Sequence, residues 1–182
     1  MKNLSIIIIS LMLMSSCTTT REAKSSRVEL RKEKKYTEQV LVKNAVESRR
    51  YIIKLNRIYL NYGGMLDLLP RANFIIIDGD KAIISTAYMG RQFDIKPIAG
   101  INMRGRTLDY AVNNRLSKGS YEINMKIDNG GSNSFEVYLT ISKNGNCNAS
   151  VSSLRIDNIR YSGYLVPISD KKSPFLQKGD MI

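Results

Sequence analysis

Ser120-Tyr121-Glu122-Ile123-Asn124-Met125-Lys126-Ile127 alternates apolar and polar residues without a break. A β-strand sends successive side chains to opposite faces, so Tyr121, Ile123, Met125 and Ile127 share one face while Glu122, Asn124 and Lys126 share the other. Phe135, Val137, Leu139 and Ile141 repeat the pattern. Between the two runs lies Asp128-Asn129-Gly130-Gly131-Ser132-Asn133, rich in residues that tolerate positive φ, which predicts an antiparallel hairpin. Lys143-Asn144-Gly145-Asn146 follows, and its Asn-Gly pair suits a type I′ turn whose twist matches that of the flanking strands. A third strand then runs from about Cys147 to Leu154. Asp157-Asn158 leads into a fourth, with Ile159, Tyr161, Gly163 and Leu165 on alternate positions and Pro167 at its end.

Upstream of this meander, Tyr51 to Leu60 reads as a strand, and Phe74-Ile75-Ile76-Ile77 with Lys81 to Tyr88 reads as a hairpin turned at Asp78-Gly79-Asp80. Ile98 to Met103 and Thr107 to Val112 are weaker candidates, separated by Arg104-Gly105-Arg106. From Val28 to about Arg49 the period is helical, with Tyr36 and Val40, Leu41 and Ala45, and Val42 and Val46 four apart. The expected class is mainly β (α+β). One N-terminal helix precedes about eight or nine antiparallel strands, forming a curved sheet, a sandwich or a partly closed barrel.

The amino terminus carries an address. Met1-Lys2-Asn3 precedes an apolar run from Leu4 to Met14, basic then apolar as in a secretory signal. The run is shorter than the ~20 residues a membrane-spanning helix needs. Met14-Ser15-Ser16-Cys17 resembles the lipobox of bacterial lipoproteins, in which the thiol receives a diacylglyceryl group and becomes the first residue after cleavage. Residues 1–16 are thus expected to be a signal peptide and Cys17 the lipidation site, with membrane attachment through the lipid. Residues 17–27, polar and small, read as a tether, 28–167 as a single globular domain and 168–182 as a polar tail. The expected location is the cell envelope, at the outer membrane facing the periplasm.

The 182 residues include no histidine and two cysteines. That removes Ser-His-Asp and Cys-His machinery and leaves no credible zinc set, so neither transition metal nor cofactor is expected. With Cys17 acylated, Cys147 has no partner and reads as a small buried apolar residue. The glycines do not form a strand-to-helix phosphate loop, Asp78-Gly79-Asp80 is a tight turn rather than a calcium loop, and Ser169-Asp170-Lys171-Lys172 has no helix to make its Ser-x-x-Lys spacing catalytic. A net charge of +12 would suggest nucleic acid in the cytosol. Export replaces that partner with an envelope protein, a glycan or an anionic lipid. Four acids, Asp94, Asp109, Glu122 and Glu136, leave open a carboxylate-dependent enzyme acting on glycans.

One constellation is both aromatic and basic: Tyr88-Met89-Gly90-Arg91-Gln92-Phe93, then Arg104, Arg106 and Tyr110. Tyrosine beside arginine suits a sugar or anionic ligand through stacking and bidentate hydrogen bonds, and suits equally the packed rim of a sheet.

Ala87-Tyr88-Met89-Gly90-Arg91, Gly119-Ser120-Tyr121-Glu122-Ile123, Asn144-Gly145 and Ile159-Arg160-Tyr161-Ser162-Gly163-Tyr164-Leu165 together resemble domain-of-unknown-function family 4251, a recurrent group of small lipoproteins from the Bacteroidetes. The likeness spans Ala45 to Pro167 and includes a helix leading into a first strand that opens on an aromatic residue, here Tyr51. It implies an envelope lipoprotein with a mostly β domain and carries over no catalytic residues. The expected role is a non-catalytic binding or structural module using its curved sheet. The alternative is a carrier of small apolar ligands in a barrel cavity.

Overall fold

The computed structural model describes residues 19–91, 100–115, 119–131 and 134–169, with side chains from residue 27 onward. One helix, α1 (Thr19–Glu47), is followed by nine strands: β1 (Arg50–Tyr59), β2 (Met65–Asp67), β3 (Phe74–Asp78), β4 (Lys81–Ala87), β5 (Gly100–Arg115), β6 (Ser120–Asp128), β7 (Ser134–Ser142), β8 (Asn146–Ser153) and β9 (Ile156–Pro167). Every pairing is antiparallel.

The order β1-β3-β4-β5-β6-β7-β8-β9 returns to β1, because Tyr51 pairs with Pro167 and Tyr59 with Arg160. Eight strands therefore close into a barrel, and neither β1 nor β9 is left as a sheet edge. The short β2 shares one edge of β1 with β3. Residues 50–54 of β1 pair with β3 and residues 57–59 with β2. Of the three architectures left open by the alternation, closure selects the barrel.

The interior is what the alternation predicts. Tyr121, Ile123, Met125 and Ile127 on β6 point inward, as do Val137, Leu139 and Ile141 on β7 and Ile159, Tyr161 and Leu165 on β9. Ile53, Leu55, Ile58, Ile75, Ile77 and Ile84 have no exposure at all. A ligand cavity of a few hundred Å³ would leave accessible area on the residues lining it. Side chains fill this interior as in other eight-stranded barrels, and a carrier of small apolar ligands has no chamber beside these residues.

Beyond the three-residue β2, which the sequence reading did not expect, three differences from that reading have physical causes. First, α1 begins at Thr19 rather than Val28, so residues 19–27 of the expected tether are helical. Their Arg, Glu, Ala and Lys are good helix formers, and polarity argues against a core, not against a helix. Second, β5 is one strand of 16 residues rather than two. Gly105 suggested a break, but it marks a close approach: a Cβ there would collide with the Asp128 carbonyl oxygen of β6. Third, ordered packing passes Pro167. The Ile168 amide donates to the Arg50 carbonyl at 3.2 Å, and its side chain joins Ile76 and Ile83 on the outer wall, with Ile52 and Phe74 alongside. The rest of the expected tail, from Asp170, lies outside the described residues.

The 38–182 unit includes the end of α1, which buries Val42, Ala45 and Val46 in the core. Of the six positions the four-residue spacing marked, these three are buried, while Tyr36, Val40 and Leu41 are exposed. The 1–37 unit of the chain is described from Thr19 by helix alone, with Val28, Leu30 and Tyr36 exposed. None of the described helices is long and apolar enough to cross a membrane.

Candidate functional site

The aromatic and basic residues singled out by sequence do not assemble. Tyr88 and Arg91 follow β4 at one end of the barrel, where Ala87 pairs with Gly100. Tyr110 lies ten positions further along β5, roughly 30 Å away at ~3.3 Å per residue. Arg104 and Arg106 are exposed between them on the outer wall.

Each group at the ends has a structural occupation. Tyr88 is 3% exposed, and its hydroxyl donates to the Arg91 carbonyl. Arg91 stacks its guanidinium on Tyr62 and donates to that residue's hydroxyl at 2.6 Å. A bulge between Leu108 and Ala111, with Asp109 at φ 53°, turns Tyr110 toward the core. There its hydroxyl meets that of Tyr51 at 3.0 Å, and the Arg49 guanidinium sits 4.4 Å from its ring centre. Burial, then the neighbouring Tyr110, pushes the Tyr51 phenol well above its ordinary range. Gln92, Phe93 and Asp94 lie outside the described residues, as do residues 1–16 and Cys17.

Sequence reasoning passed over the outer wall of the meander. The outward side chains of β8 are Asn146, Asn148, Ser150 and Ser152, all small and uncharged. Larger groups rise on both sides, and the register arranges them in rows across the strands. One row runs Asn124, Tyr138, Ser150, Arg160 and Tyr59, across β6, β7, β8, β9 and β1. The next runs Glu122, Thr140, Asn148 and Ser162. Beside it stands Asn56, the extra residue of a bulge between Leu55 and Arg57, whose amide oxygen accepts from the Ser162 hydroxyl at 3.4 Å. A third row runs Ser142, Asn146 and Tyr164.

Small residues between larger ones make a trough. Its central stretch encloses about 460 Å³ between Tyr138 and Thr140 on one side and Arg160 and Tyr59 on the other. A second stretch of about 360 Å³ continues over Asn148 to Asn146, Asn56 and Ser162, and a third of about 280 Å³ continues over Ser150 to Ser152, Asn158 and Glu136. Arg160 lies 6.0 Å from the Tyr59 ring centre, and the Ser150 hydroxyl bonds the Asn158 side chain. Tyr138 is 42% and Tyr164 39% exposed.

The acids distribute unevenly. Asp109 and Glu136 line one stretch with Asn124 and Lys126, beyond the third. Glu122 is held by Arg115 at 2.8 Å. No group of three or more potential metal ligands occurs among the described residues. Cys147 is 3% exposed behind the trough floor, and burial pushes its thiol far above the ordinary range, which keeps it protonated and unreactive.

The signal for the trough was present in the alternation itself. Asparagine is depleted on strands, and serine lacks the β-branching or bulk of the threonine, valine or tyrosine that favour them. A run of asparagine and serine on one face of β8 departs from what the fold alone requires.

These features define a class: a helix-led, eight-stranded antiparallel barrel with a packed interior and a polar trough on its outer wall. Within that class, the chain belongs to the DUF4251 family, a domain of unknown function, whose family model matches residues 32–165. The match takes in more of α1 than the resemblance starting at Ala45. A crystal structure of a DUF4251 family protein from Bacteroides eggerthii DSM 20697, at 1.95 Å resolution, shares the fold. It is 17% identical to this chain with a TM-score of 0.59, over 73% of this chain and 87% of that one. No curated protein matches.

Proposed function

We propose that this chain is exported, acylated on Cys17 and held at the outer membrane facing the periplasm, where it binds an envelope partner, without catalysis, in the trough along β8. The observation that carries the binding reading is the contrast between a filled interior and an outer wall shaped into a trough with an uncharged floor. The anchor reading rests on Lys2, the apolar run to Met14 and Ser15-Ser16-Cys17. Two or three acyl chains, at about 0.8 kcal/mol per buried methylene, would make attachment effectively permanent.

Two measurements test the two halves. Intact mass of the protein extracted from its native membrane is expected to show a triacyl adduct at Cys17, and a Cys17→Ala chain is expected to leave the membrane fraction. A photo-crosslinking residue at position 148 is expected to give specific adducts in cells, while one at position 104, on the opposite outer wall, gives none. Adducts at 104 alone would move the binding surface to the basic side of β5. Turnover of an oligosaccharide, lost in Asp109→Asn or Glu136→Gln, would replace binding with carboxylate catalysis.

A further inference from the structure

We infer that the trough is a saccharide site, taking a neutral oligosaccharide laid along β8; the inference rests on the trough being the binding surface. Three observations point to this ligand class. The first is charge. In a chain of net charge +12, the whole outward face of β8 carries no charged side chain. A site for phosphate or acidic glycan would concentrate lysine and arginine at its floor, as anion recognition requires fixed donors of positive charge. Here Arg160 stands at the wall, its guanidinium 6.0 Å from the Tyr59 ring centre, and Glu136 faces the trough from β7.

The second is hydrogen-bonding capacity. Asn146 and Asn148 each present a side-chain carbonyl and an amino group, while Asn56 and Asn158, whose amide oxygens accept from Ser162 and Ser150, keep their amino groups to donate and leave the two hydroxyl oxygens to accept. A sugar hydroxyl both donates and accepts, and an amide side chain answers both ways at once. A peptide main chain would instead seek an unpaired strand edge, and β7, β8, β9 and β1 beneath the trough are each paired on both sides.

The third is the aromatic frame. Tyr138 on β7 and Tyr59 on β1 bracket the central stretch from three strands apart, about 14 Å at the usual strand spacing. The apolar face of a pyranose packs on such rings while its edge hydroxyls reach the floor. The trough spans Asn146 to Ser152, about 20 Å at ~3.3 Å per residue. That length is several times the width of one sugar ring, so the ligand is an oligosaccharide rather than a monosaccharide.

The chain contains ten tyrosines and no tryptophan, so tyrosine fluorescence sums ten rings, and the share of Tyr138 and Tyr59 is read as the part of the change lost in Tyr138→Ala and in Tyr59→Ala. The test uses the full chain purified in a zwitterionic detergent without a sugar headgroup. It is titrated with an N-acetylglucosamine tetramer, cellohexaose, maltohexaose and mannohexaose, and with a heparin hexasaccharide as the anionic comparison. At least one neutral oligosaccharide is expected to give a saturable change, little altered between 50 and 500 mM salt, by order-of-magnitude reasoning about screening. Tyr138→Ala is expected to weaken it at least tenfold and Tyr138→Phe by no more than about twofold, since the ring is the platform.

Asn148→Thr adds a control independent of folding defects. Threonine is the better strand residue, so this variant is expected to melt no lower than the parent while binding at least tenfold more weakly. If no neutral oligosaccharide saturates while position 148 still crosslinks in cells, the trough remains a binding surface and the saccharide inference is overturned. The same holds if heparin binds more tightly and salt abolishes it. If position 148 neither crosslinks nor responds to any sugar, both readings fall.

Discussion

Tyr161 enters the barrel at 1% exposure and donates its hydroxyl to the Ala87 carbonyl at 2.9 Å. That bond joins β9 to the end of β4 across the interior. Tyr161→Phe keeps the ring and leaves the Ala87 carbonyl with only the longer Thr86 hydroxyl contact at 3.4 Å, so a loss of about 1 kcal/mol in urea-unfolding free energy is expected. Burial raises the phenols of Tyr161 and Tyr51 above their ordinary value near 10. Both stay protonated in the folded chain while the unfolded chain releases protons above about pH 10, so the folded state binds more protons there and stability falls as pH rises. The urea midpoint is therefore expected to drop progressively above about pH 10. A midpoint unchanged there would contradict the buried-phenol assignment.

Glycines separate two physical roles at the same scale. At Gly163 a Cβ would strike the Lys54 carbonyl of β1, within a paired strand that cannot move aside. Gly130 sits in an open turn at φ 80° with nothing near its missing Cβ. Gly163→Ala is expected to cost about 3 kcal/mol or prevent folding, and Gly130→Ala about 1 kcal/mol for the left-handed backbone alone. Equal melting temperatures for the two variants would refute the close-approach reading of Gly163.

Among elements, α1 shows where composition and packing part. Val46 at 1% exposure belongs to the core cluster, whereas Leu30 on the same helix is 62% exposed. Val46→Ala removes two methyls' worth of buried surface and is expected to cost about 2 kcal/mol in a chemical denaturation series. Leu30→Ala should stay within about 0.5 kcal/mol. The four-residue spacing in the sequence took in Val42, Ala45 and Val46, which helix geometry puts on one stripe, but equally Tyr36, Val40 and Leu41, which are exposed. It misplaced the helix start, because Thr19 to Arg27 offer no periodic apolar signal and helix formation there depends on propensity and on continuity with the following turns.

β5 shows the converse error. Its sequence broke at Arg104-Gly105-Arg106, and local reasoning treats an internal glycine as punctuation. In the barrel the same glycine lets β5 approach β6, and the bulge at Asp109 rather than a break turns Tyr110 inward. For the same reason the aromatic and basic constellation looked compact in sequence. Tyr88 and Arg91 follow β4 at one end of the barrel, while Arg104, Arg106 and Tyr110 are spread along one unbroken strand.

At the scale of the whole molecule, closure depends on β9 reaching β1 across more than a hundred residues of chain. A chain ending at Ser153 would lose Ile159, Tyr161 and Leu165 from the core and leave β1 and β8 with unpaired edges. It is expected to show no cooperative thermal transition by circular dichroism. A sharp transition in that fragment would mean the open sheet is a stable fold by itself.

The sequence by itself determined most of the strands, though not β2 or the continuity of β5, together with the inward faces and hairpin turns of the meander and the helix at the amino-terminal side of the barrel. Alternation, glycine-bearing turns and helical spacing are local properties, written in neighbouring residues. Tertiary structure alone decided that the sheet closes, that its interior is full and that Asn56, Tyr59, Tyr138, Asn148 and Arg160 share one trough. Those facts depend on register between strands far apart in the chain. Register is set by the whole core seeking its packing, not by any segment of it.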